Sequence, residues 1–287
     1  MNPAAEGWSL VWPAPAKLNL FLHIVGQRTD GYHLLQTAFQ FIDLCDSLVF
    51  TPRDDTKISR SAGLEGLPPD EDLVVRAAKL LSAATGIRRG VDIRVDKKIP
   101  SGGGLGGGSS DAATTLLALN RLWRLNLGND SLQTLGLKLG ADVPVFVGGR
   151  AAWGEGTGEK LSPMDFPAPF YVVVKPACGV VTADVFQDPE LTRNSSPVTI
   201  PGFLSEGGRN DCEAVVRRRY PEVAQALDWL GSFGDARLTG TGSCVFLATG
   251  DLERAREVQS QVPAKWAGFV VKGQNHSPTL DLLEQLG

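Results

Sequence analysis

The stretch PSGGGLGGGSSD, residues 100–111, is the most unusual part of this sequence, with six glycines among the seven residues 102–108. The run VDIRV at residues 91–95 precedes it and alternates in the way of a β-strand. An amphipathic helix is predicted after it from apolar residues at helical spacing, namely Ala112, Leu116, Leu119 and Trp123. The order of strand, glycine loop and helix therefore organises this part of the fold.

Such a loop is suited to binding phosphate. Successive glycines let backbone N–H groups converge without interference from Cβ atoms, and the N-terminus of the following helix adds partial positive charge. Ser109 or Ser110 is the predicted N-cap of that helix. A flexible linker is the alternative, but a linker would not lie between a strand and a capped amphipathic helix. We therefore predict an anion-binding loop.

Two common kinds of phosphate-binding loop fit the sequence less well. It lacks the GxxxxGK[ST] string of a Walker A loop, which excludes that class of kinase. The glycines do satisfy GxGxxG, but so many glycines almost force that match. No acidic residue ends a second strand about 20 residues later, where a dinucleotide-binding domain would hold the ribose. A dinucleotide site is the weaker alternative.

Composition narrows the class of protein further. The 287 residues suffice for two domains, and 43% hydrophobic with 21% charged residues is close to the globular average. The net charge of −4 has no acidic or basic block behind it, so no nucleic-acid partner is expected. The four cysteines form no Cys-x-x-Cys pair, which disfavours a zinc site or a disulfide framework. Without a targeting segment or an apolar run of about 20 residues, we expect a cytoplasmic protein with no membrane partner.

Hydrophobic periodicity along the chain predicts mixed α and β structure. Strands are predicted at residues 16–26, 35–41, 47–51 and 170–175 and after Gly242. Helices are predicted from Asp72 to Thr85 with a stop at Gly86, over residues 131–139, from near Asn210, and up to about Trp229. A polar loop is predicted over residues 54–69, and a glycine- and alanine-rich hinge over residues 148–158 divides the chain into domains 1–158 and 159–287.

Segments spread from Pro15 to Pro278 resemble the GHMP kinases, small-molecule kinases that wrap the phosphates of ATP in a glycine loop. The glycine loop is similar to the second motif of that family. The other similar segments are PAKLNLFLHIVGQRTDGYHLLQT, GADVPVF, GEGTGEKL, FQDPELTRN, NDCE, LTGTGSCVF and NHSP. Each is of modest specificity alone, but together and in this order they identify the chain as a member of the family.

The resemblance implies both a fold and an activity. The fold is α+β with two domains, an N-terminal ATP-binding α/β domain and a C-terminal ferredoxin-like α/β sandwich, with the active site in the cleft between them. The activity is ATP-dependent phosphorylation of the 2-hydroxyl of a cytidine diphosphate-linked methylerythritol, in the non-mevalonate isoprenoid route. Mg²⁺ accompanies ATP, with Ser109 or Ser110 as its protein hydroxyl. The ATP-binding residues are Pro100, Ser101, Gly102, Gly103, Gly104, Leu105, Gly106, Gly107, Gly108, Ser109 and Ser110.

Two charged residues are candidates for the chemistry. Read from the residues alone, Asp142 in the segment GADVP is a turn or N-cap residue, or a carboxylate free to accept a proton. Lys17 stands at the start of the first predicted strand, on the same face as Asn19, and by itself would be a solvated lysine. The resemblance implies that Asp142 is the catalytic aspartate and Lys17 the cation that stabilises the alkoxide and meets the phosphoryl group.

A base-binding site is predicted where Tyr32 and His33 follow a turn, since aromatic stacking suits nucleobases. The alternative is a capped turn with one half-buried aromatic ring. The resemblance implies that Tyr32 and His33 grip the cytosine together with Phe186. It also implies that Asn19 and Thr182 contact the substrate.

A second glycine turn, Gly240, Thr241 and Gly242, resembles the third motif of the family, which closes over the phosphates; otherwise it is a tight turn. The nearby segment NDCE has Asn210 and Glu213 at the spacing of a helix capping box.

Two positions depart from the family pattern. Asp111 stands where some members carry asparagine, and Asp72 stands where asparagine is expected near the adenine.

Two other functions are weighed against this one. Another GHMP activity, such as homoserine or mevalonate kinase, is disfavoured by the pair Tyr32 and His33. A non-catalytic nucleotide-binding protein is disfavoured by the presence of both Lys17 and Asp142. We expect a monomer or a weak homodimer.

Overall fold

A computed structural model of the chain describes residues 7–8, 10–61, 68 and 71–286. The strands are β1 Trp12–Gln27, β2 His33–Arg53, β3 Ile58–Ser61, β4 Gly90–Asp96, β5 Ala152–Gly156, β6 Lys160–Pro163, β7 Phe170–Lys175, β8 Ala236–Leu238, β9 Val245–Thr249 and β10 Ala267–Gln274. The helices are α1 Leu73–Thr85, α2 Gly107–Leu122, α3 Asn129–Leu137, α4 Val143–Gly148, α5 Thr182–Phe186, α6 Ile200–Glu206, α7 Glu213–Arg219, α8 Pro221–Gly231, α9 Leu252–Ser260 and α10 Pro278–Gln285.

The first half of the chain is built around the long strand β2. Strands β1, β4 and β5 all pair with β2 in antiparallel register, and β3 and β6 extend the sheet at β4 and β5. Apolar side chains of these strands bury against α1, α2 and α4 in one core. The predicted strands in this region are confirmed, and so is helix α1 with its stop at Gly86. Asp72, where the helix was predicted to begin, is its N-cap.

The second half has the strand order β10-β7-β9-β8, with antiparallel pairing throughout. Numbered in chain order from β7 to β10, the strands lie in the order 4-1-3-2. Helices α5 to α8 connect β7 to β8, and helix α9 connects β9 to β10. One face of this sheet packs on α7, α8 and α9 through aliphatic side chains such as Val174, Leu227 and Val258. The ferredoxin-like prediction for this half, and with it the α+β fold, is confirmed.

Strand β10 joins the two halves, because it pairs with β7 and its last residues also pair with β2. The second face of the ferredoxin-like sheet packs on a separate apolar cluster. That cluster includes Leu18 of β1, Ile99, which directly precedes the glycine loop, and Leu105, which lies within it. The loop is therefore held between the two sheets by buried contacts rather than left as a flexible linker.

Several predictions of local structure are wrong. Residues 152–156 of the predicted hinge form β5, which is paired on both sides, so this stretch is not a hinge. The division of the chain at residue 158 stays a prediction. The predicted loop at residues 54–69 contains β3, and its residues 62–67 and 69 lie outside the described ones. Helix α2 is buried along residues 110–119 rather than amphipathic, because it lies between other helices and the sheet.

Candidate active site

A cleft of about 430 Å³ opens between the glycine loop and the start of α1. All of residues 100–109 line it, together with Asp72, Leu73 and Val74 from the start of α1. Lys97 and Asp111 lie along the same wall. The loop that the sequence marks as unusual therefore forms one complete side of this cleft.

The loop needs glycine at specific positions. Gly102, Gly104 and Gly106 have φ values of +65°, +76° and +74°, in the left-handed region that favours glycine. A Cβ atom at Gly104 would collide with the carbonyl oxygen of Thr239, and one at Gly106 would lie 2.8 Å from Cζ of Phe146. The backbone thus curls tightly and packs closely at these glycines, so larger residues would not fit there.

Helix α2 begins inside the loop, earlier than predicted. Its N-cap is Gly106, and the first N–H to bond within the helix is that of Ser110, to the carbonyl of Gly106 at 2.8 Å. Ser109 and Ser110 are therefore not the N-cap. The N–H groups of residues 107–109 have no partner within the helix, and together with the helix dipole they form an anion-binding end.

Lys17 is buried beside this loop, with its side chain only 3% exposed. Its Nζ donates to Oδ1 of Asn19 at 2.5 Å and to the carbonyl oxygen of Gly104 at 3.0 Å. It also forms an ion pair with Oδ2 of Asp142 at 3.2 Å. The three protons of the ammonium group thus have three acceptors, one each from β1, the glycine loop and the start of α4, so Lys17 is not a solvated lysine.

Asp142 precedes α4 at the N-cap position, but its side chain makes no capping hydrogen bond. Its carboxylate instead meets Lys17, and 35% of the side chain stays exposed. A carboxylate held by a cation and still open to solvent can accept a proton from an incoming alcohol. Lys17, Asn19, Asp142, Gly104 and Gly106, all predicted as site residues, therefore lie together.

The residues predicted to bind the base are brought together in part. The rings of His33 and Phe186 lie with their centroids 5.1 Å apart and their planes 30° apart. Thr182 and Thr241 share a hydrogen bond of 2.9 Å. Tyr32 is 65% exposed, and none of the ring contacts among the described residues involves it.

Asn210 has a role that its position in the sequence does not indicate. It does not form a capping box, since α7 starts at Glu213 with Cys212 as its N-cap. Its Nδ2 donates to the carbonyl oxygens of Leu238 and Gly240, at 2.9 and 2.8 Å, while its Oδ1 accepts from the N–H of Cys212. Asn210 therefore stabilises the second glycine turn through hydrogen bonds to its backbone.

Replacing Asn210 by alanine is expected to lower the free energy of unfolding by about 2 kcal/mol or more, because two buried carbonyl oxygens lose their donor. Urea unfolding would measure this loss. The matched control is Asn129→Ala, which removes two hydrogen bonds of an exposed asparagine, one to the carbonyl oxygen of Val147 at 3.3 Å and one from Nε2 of Gln133 at 2.5 Å. Equal losses in the two variants would contradict the role of Asn210.

Charged groups on the cleft wall were not predicted as site residues. Lys97 forms ion pairs with Asp46 and Asp111, and burial raises the pKa of Asp111 to about 7 against the opposing effect of Lys97. Arg60 pairs with Asp72, which also caps α1. The departures from the family pattern at positions 72 and 111 are thus each paired with a cation, the buried Arg60 and the partly exposed Lys97. Only the unusual aspartates signalled these pairs, since Arg60 and Lys97 lie 12 and 14 positions before them, farther than a helical or strand pattern reaches.

The residues present fit the phosphates of ATP better than they fit a metal ion held by protein alone. The glycine cradle and the free N–H groups suit phosphate. The described residues contain no group of three or more histidine, cysteine, aspartate or glutamate side chains able to hold a metal ion. Ser110 is fully buried and its Oγ has no hydrogen-bond partner, while Ser109 lines the cleft. A Mg²⁺ ion here would depend mainly on nucleotide phosphates and water.

Other predictions made from the composition can be compared with the structure. All four cysteines are free, and Cys212 and Cys244 are buried among apolar side chains. Within the described ranges, no helix combines the length and the apolar character that crossing a membrane requires.

Comparison with known proteins agrees with this fold. Residues 72–150 match the model of the GHMP kinase N-terminal domain, and residues 191–268 match that of the GHMP kinase C-terminal domain. A crystal structure of a mevalonate kinase superposes with a TM-score of 0.66 over 93% of this chain and 100% of the other, at 17% identity. The fold is therefore that of the GHMP kinase class.

More similar proteins narrow the class to one family. A 4-diphosphocytidyl-2-C-methyl-D-erythritol kinase of Nitrosococcus oceani is 56% identical over 97% of this chain and 99% of its own length. A crystal structure of a 4-(cytidine 5'-diphospho)-2C-methyl-D-erythritol kinase superposes with a TM-score of 0.79 at 34% identity, over 92% of this chain and 99% of the other. The chain belongs to the 4-diphosphocytidyl-2-C-methyl-D-erythritol kinase family of the GHMP kinases. It is an enzyme, a phosphotransferase with an alcohol group as acceptor.

Proposed function

We propose that this chain transfers the γ-phosphoryl group of ATP to the 2-hydroxyl of 4-diphosphocytidyl-2-C-methyl-D-erythritol, in the non-mevalonate route to isoprenoid precursors. One observation carries the proposal. The ammonium group of Lys17 contacts the carboxylate of Asp142 and the carbonyl oxygen of Gly104 in the glycine loop at the same time. A cation, a base and a phosphate cradle thus lie within one hydrogen-bonded group, which is what phosphoryl transfer to an alcohol requires.

The chemistry follows from the positions of these two side chains. Asp142 accepts the proton of the 2-hydroxyl as the new phosphorus–oxygen bond forms and the bond from phosphorus to ADP breaks. Lys17 lies next to Asp142, so its charge stabilises the developing alkoxide and the equatorial oxygens of the phosphoryl group. The products are the 2-phosphate of the substrate and ADP, and the proton leaves through the exposed edge of Asp142.

The nucleotide is held by the backbone of residues 100–110, with its phosphates at the start of α2. We propose that Mg²⁺ accompanies ATP and that Ser109 or Ser110 supplies a hydroxyl ligand; the cleft-facing position of Ser109 favours it over the buried Ser110. The ion supplies charge neutralisation on the phosphates when bound.

The substrate's cytidine is bound on the opposite side of the reacting group. Tyr32, His33 and Phe186 form an aromatic site for the cytosine, which the stacked His33 and Phe186 rings support. We further propose substrate contacts from residues on the path between this site and Lys17, namely Asn19, Thr182, Gly240, Thr241 and Gly242. The hydrogen bond between Thr182 and Thr241 supports that path, because it joins two of these segments.

The experiment that tests the proposal measures ADP release with three alcohols in parallel. We expect turnover with 4-diphosphocytidyl-2-C-methyl-D-erythritol and little with homoserine or mevalonate. Turnover with homoserine or mevalonate alone would assign another GHMP activity. ATP binding without turnover of any of the three would favour a non-catalytic nucleotide-binding protein.

Replacing Tyr32 by alanine is expected to raise the KM for the cytidyl substrate by roughly ten- to a hundredfold, since base stacking on an aromatic ring contributes about 1–3 kcal/mol. The KM for ATP should not change, because Tyr32 does not line the cleft at the glycine loop. Stability should not change either, since Tyr32 is 65% exposed.

Two comparisons make the Tyr32→Ala result specific. Val11→Ala removes another exposed apolar side chain, 57% exposed, and should leave both KM values unchanged. An acceptor lacking the cytidine diphosphate should be a poor substrate that becomes little worse in the Tyr32→Ala variant. Equal damage with both acceptors would contradict a cytosine contact for Tyr32.

We also propose the wider setting of the enzyme. The chain divides into functional domains at residues 1–158 and 159–287, with the active site at their junction, where the N–H of Cys244 donates to the carbonyl oxygen of Gly103 at 3.0 Å. It works in the cytoplasm, which the four free thiols support. It acts on a small-molecule substrate without nucleic-acid or membrane partners, as a monomer or a weak homodimer.

A further inference from the structure

Arg193 connects the two segments that carry the proposed cytosine site. Its Nε donates to Nε2 of His33 at 3.1 Å, although the two residues are 160 positions apart in the sequence. Its Nη2 donates to the carbonyl oxygens of Phe186 and Asp188, at 3.0 and 2.7 Å, and its Nη1 donates to that of Leu191 at 3.1 Å. One guanidinium group therefore fastens the ring of His33 to the backbone that carries Phe186.

The hydrogen bond from Arg193 decides which ring nitrogen of His33 carries the proton. A guanidinium group only donates, so Nε2 of His33 must accept, and an accepting nitrogen of a neutral imidazole bears no proton. Burial lowers the pKa of His33, and the charge of Arg193 lowers it further, so the ring is neutral at neutral pH. The proton then lies on Nδ1, which has no hydrogen-bond partner within the part of the chain that the structure describes.

We infer that Arg193 is a positioning residue that selects cytosine over uracil by holding His33 with its proton on Nδ1. The inference rests on the proposed function. The planes of the His33 and Phe186 rings are 30° apart, so a base that is hydrogen-bonded in the plane of His33 lies nearly parallel to Phe186. Cytosine presents an unprotonated N3 that accepts from Nδ1–H. Uracil carries a proton at N3, so two donors would face each other without an acceptor.

The first test measures the proton position directly in the free enzyme. The chain has three histidines, so ¹⁵N-histidine NMR with a His33→Asn variant for assignment can follow this ring alone. We expect the proton on Nδ1 in the wild type and a shift toward Nε2 in Arg193→Met. Arg193→Lys should return part of the Nδ1 form, because an ammonium group can also donate to Nε2.

The matched control is Arg218→Met. Arg218 also holds this segment, through Asp188 at 2.6 Å and through Glu190, but it does not contact His33. It should leave the proton of His33 on Nδ1. A proton on Nε2 in the wild type, or the same spectrum in wild type and Arg193→Met, would overturn the inference. So would an equal change in Arg218→Met, because the effect would then come from ordering the segment.

The second test measures base selection by calorimetry with CMP and UMP as probes. We expect the wild type to prefer CMP and Arg193→Met to lose about tenfold of that preference, the size of one hydrogen bond. Arg218→Met should keep the preference. An unchanged ratio in Arg193→Met would overturn the inference alone. A wild type that binds neither nucleotide would overturn the proposed substrate and the cytosine selection together, while the NMR result would still report on Arg193 and His33.

Discussion

Replacing Asp142 by asparagine is expected to lower kcat by about a hundredfold or more while ATP still binds, because the amide cannot take the proton of the acceptor hydroxyl. Lys17→Met should lower kcat by a similar factor, since it removes the charge that stabilises the alkoxide and the phosphoryl oxygens. The side chains lie 3.2 Å apart and act on the same reacting atoms. Single-turnover kinetics and ATP calorimetry on each variant would measure both effects.

The double variant provides the sharper comparison. When two groups act as one unit, removing both lowers kcat little more than removing either one. The decrease in kcat of the Lys17→Met/Asp142→Asn enzyme should therefore be far smaller than the product of the two single decreases. Asp165→Asn is a matched control. Asp165 forms an exposed ion pair with Arg150, with 3.5 Å between the nitrogen and the oxygen, and it does not line the cleft at the glycine loop. Wild-type turnover in either single variant would contradict its catalytic role. A loss that follows the melting temperature instead would indicate a structural role.

Replacing Gly106 by valine is expected to weaken ATP binding by about a hundredfold or more. The φ value of +74° is strained for any residue with a Cβ atom, and that atom would lie 2.8 Å from Cζ of Phe146 and 3.2 Å from Cε of Lys17. Strain and overpacking of about 1–3 kcal/mol each would move the backbone away from the arrangement that aligns its N–H groups. Calorimetry with ATP would measure the change, and circular dichroism would show that the fold remains.

Gly102→Val separates strain from packing. Gly102 has a similar φ of +65°, but the nearest atom to its added Cβ is Cα of Gly179, at 3.8 Å. Its loss of ATP affinity should therefore be smaller than that of Gly106→Val. Equal losses would mean that backbone strain alone accounts for the effect, and unchanged ATP affinity in Gly106→Val would contradict the assignment of the loop.

Local patterns predicted most of the elements and the location of the loop. Alternation and helical spacing are properties of neighbouring residues, so they predicted β7 at Phe170–Lys175 and α1 with its stop at Gly86 correctly. The same reasoning placed the start of α2 too late, because glycine has a low intrinsic helix propensity and serine is a common N-cap. Phe146, Ile99 and Leu73 lie so close to Gly106, Gly107 and Gly108 that a Cβ atom has little room there, so the fold requires glycine in this first turn despite that propensity.

Roles that depend on distant partners could not be predicted from neighbouring residues. Asn210 looked like half of a capping box, and only the fold brings it beneath the turn at Gly240, 30 positions later. Arg193 lies within a segment similar to the family, yet nothing near it in the sequence indicates that it bonds to His33. Lys17 looked solvated until the fold placed it against Gly104 and Asp142.

The sequence by itself determined that this chain carries a phosphate-binding glycine loop between a strand and a helix, because glycine content and hydrophobic periodicity act over a few residues and leave few alternatives. It also carried the ordered segments by which the chain resembles the GHMP kinases. Only the tertiary structure decided which side chains meet at the loop. Burial against two sheets and pairing across 100 or more positions brought Lys17 to Asp142, since hydrogen bonds and ion pairs depend on distances that no local pattern records.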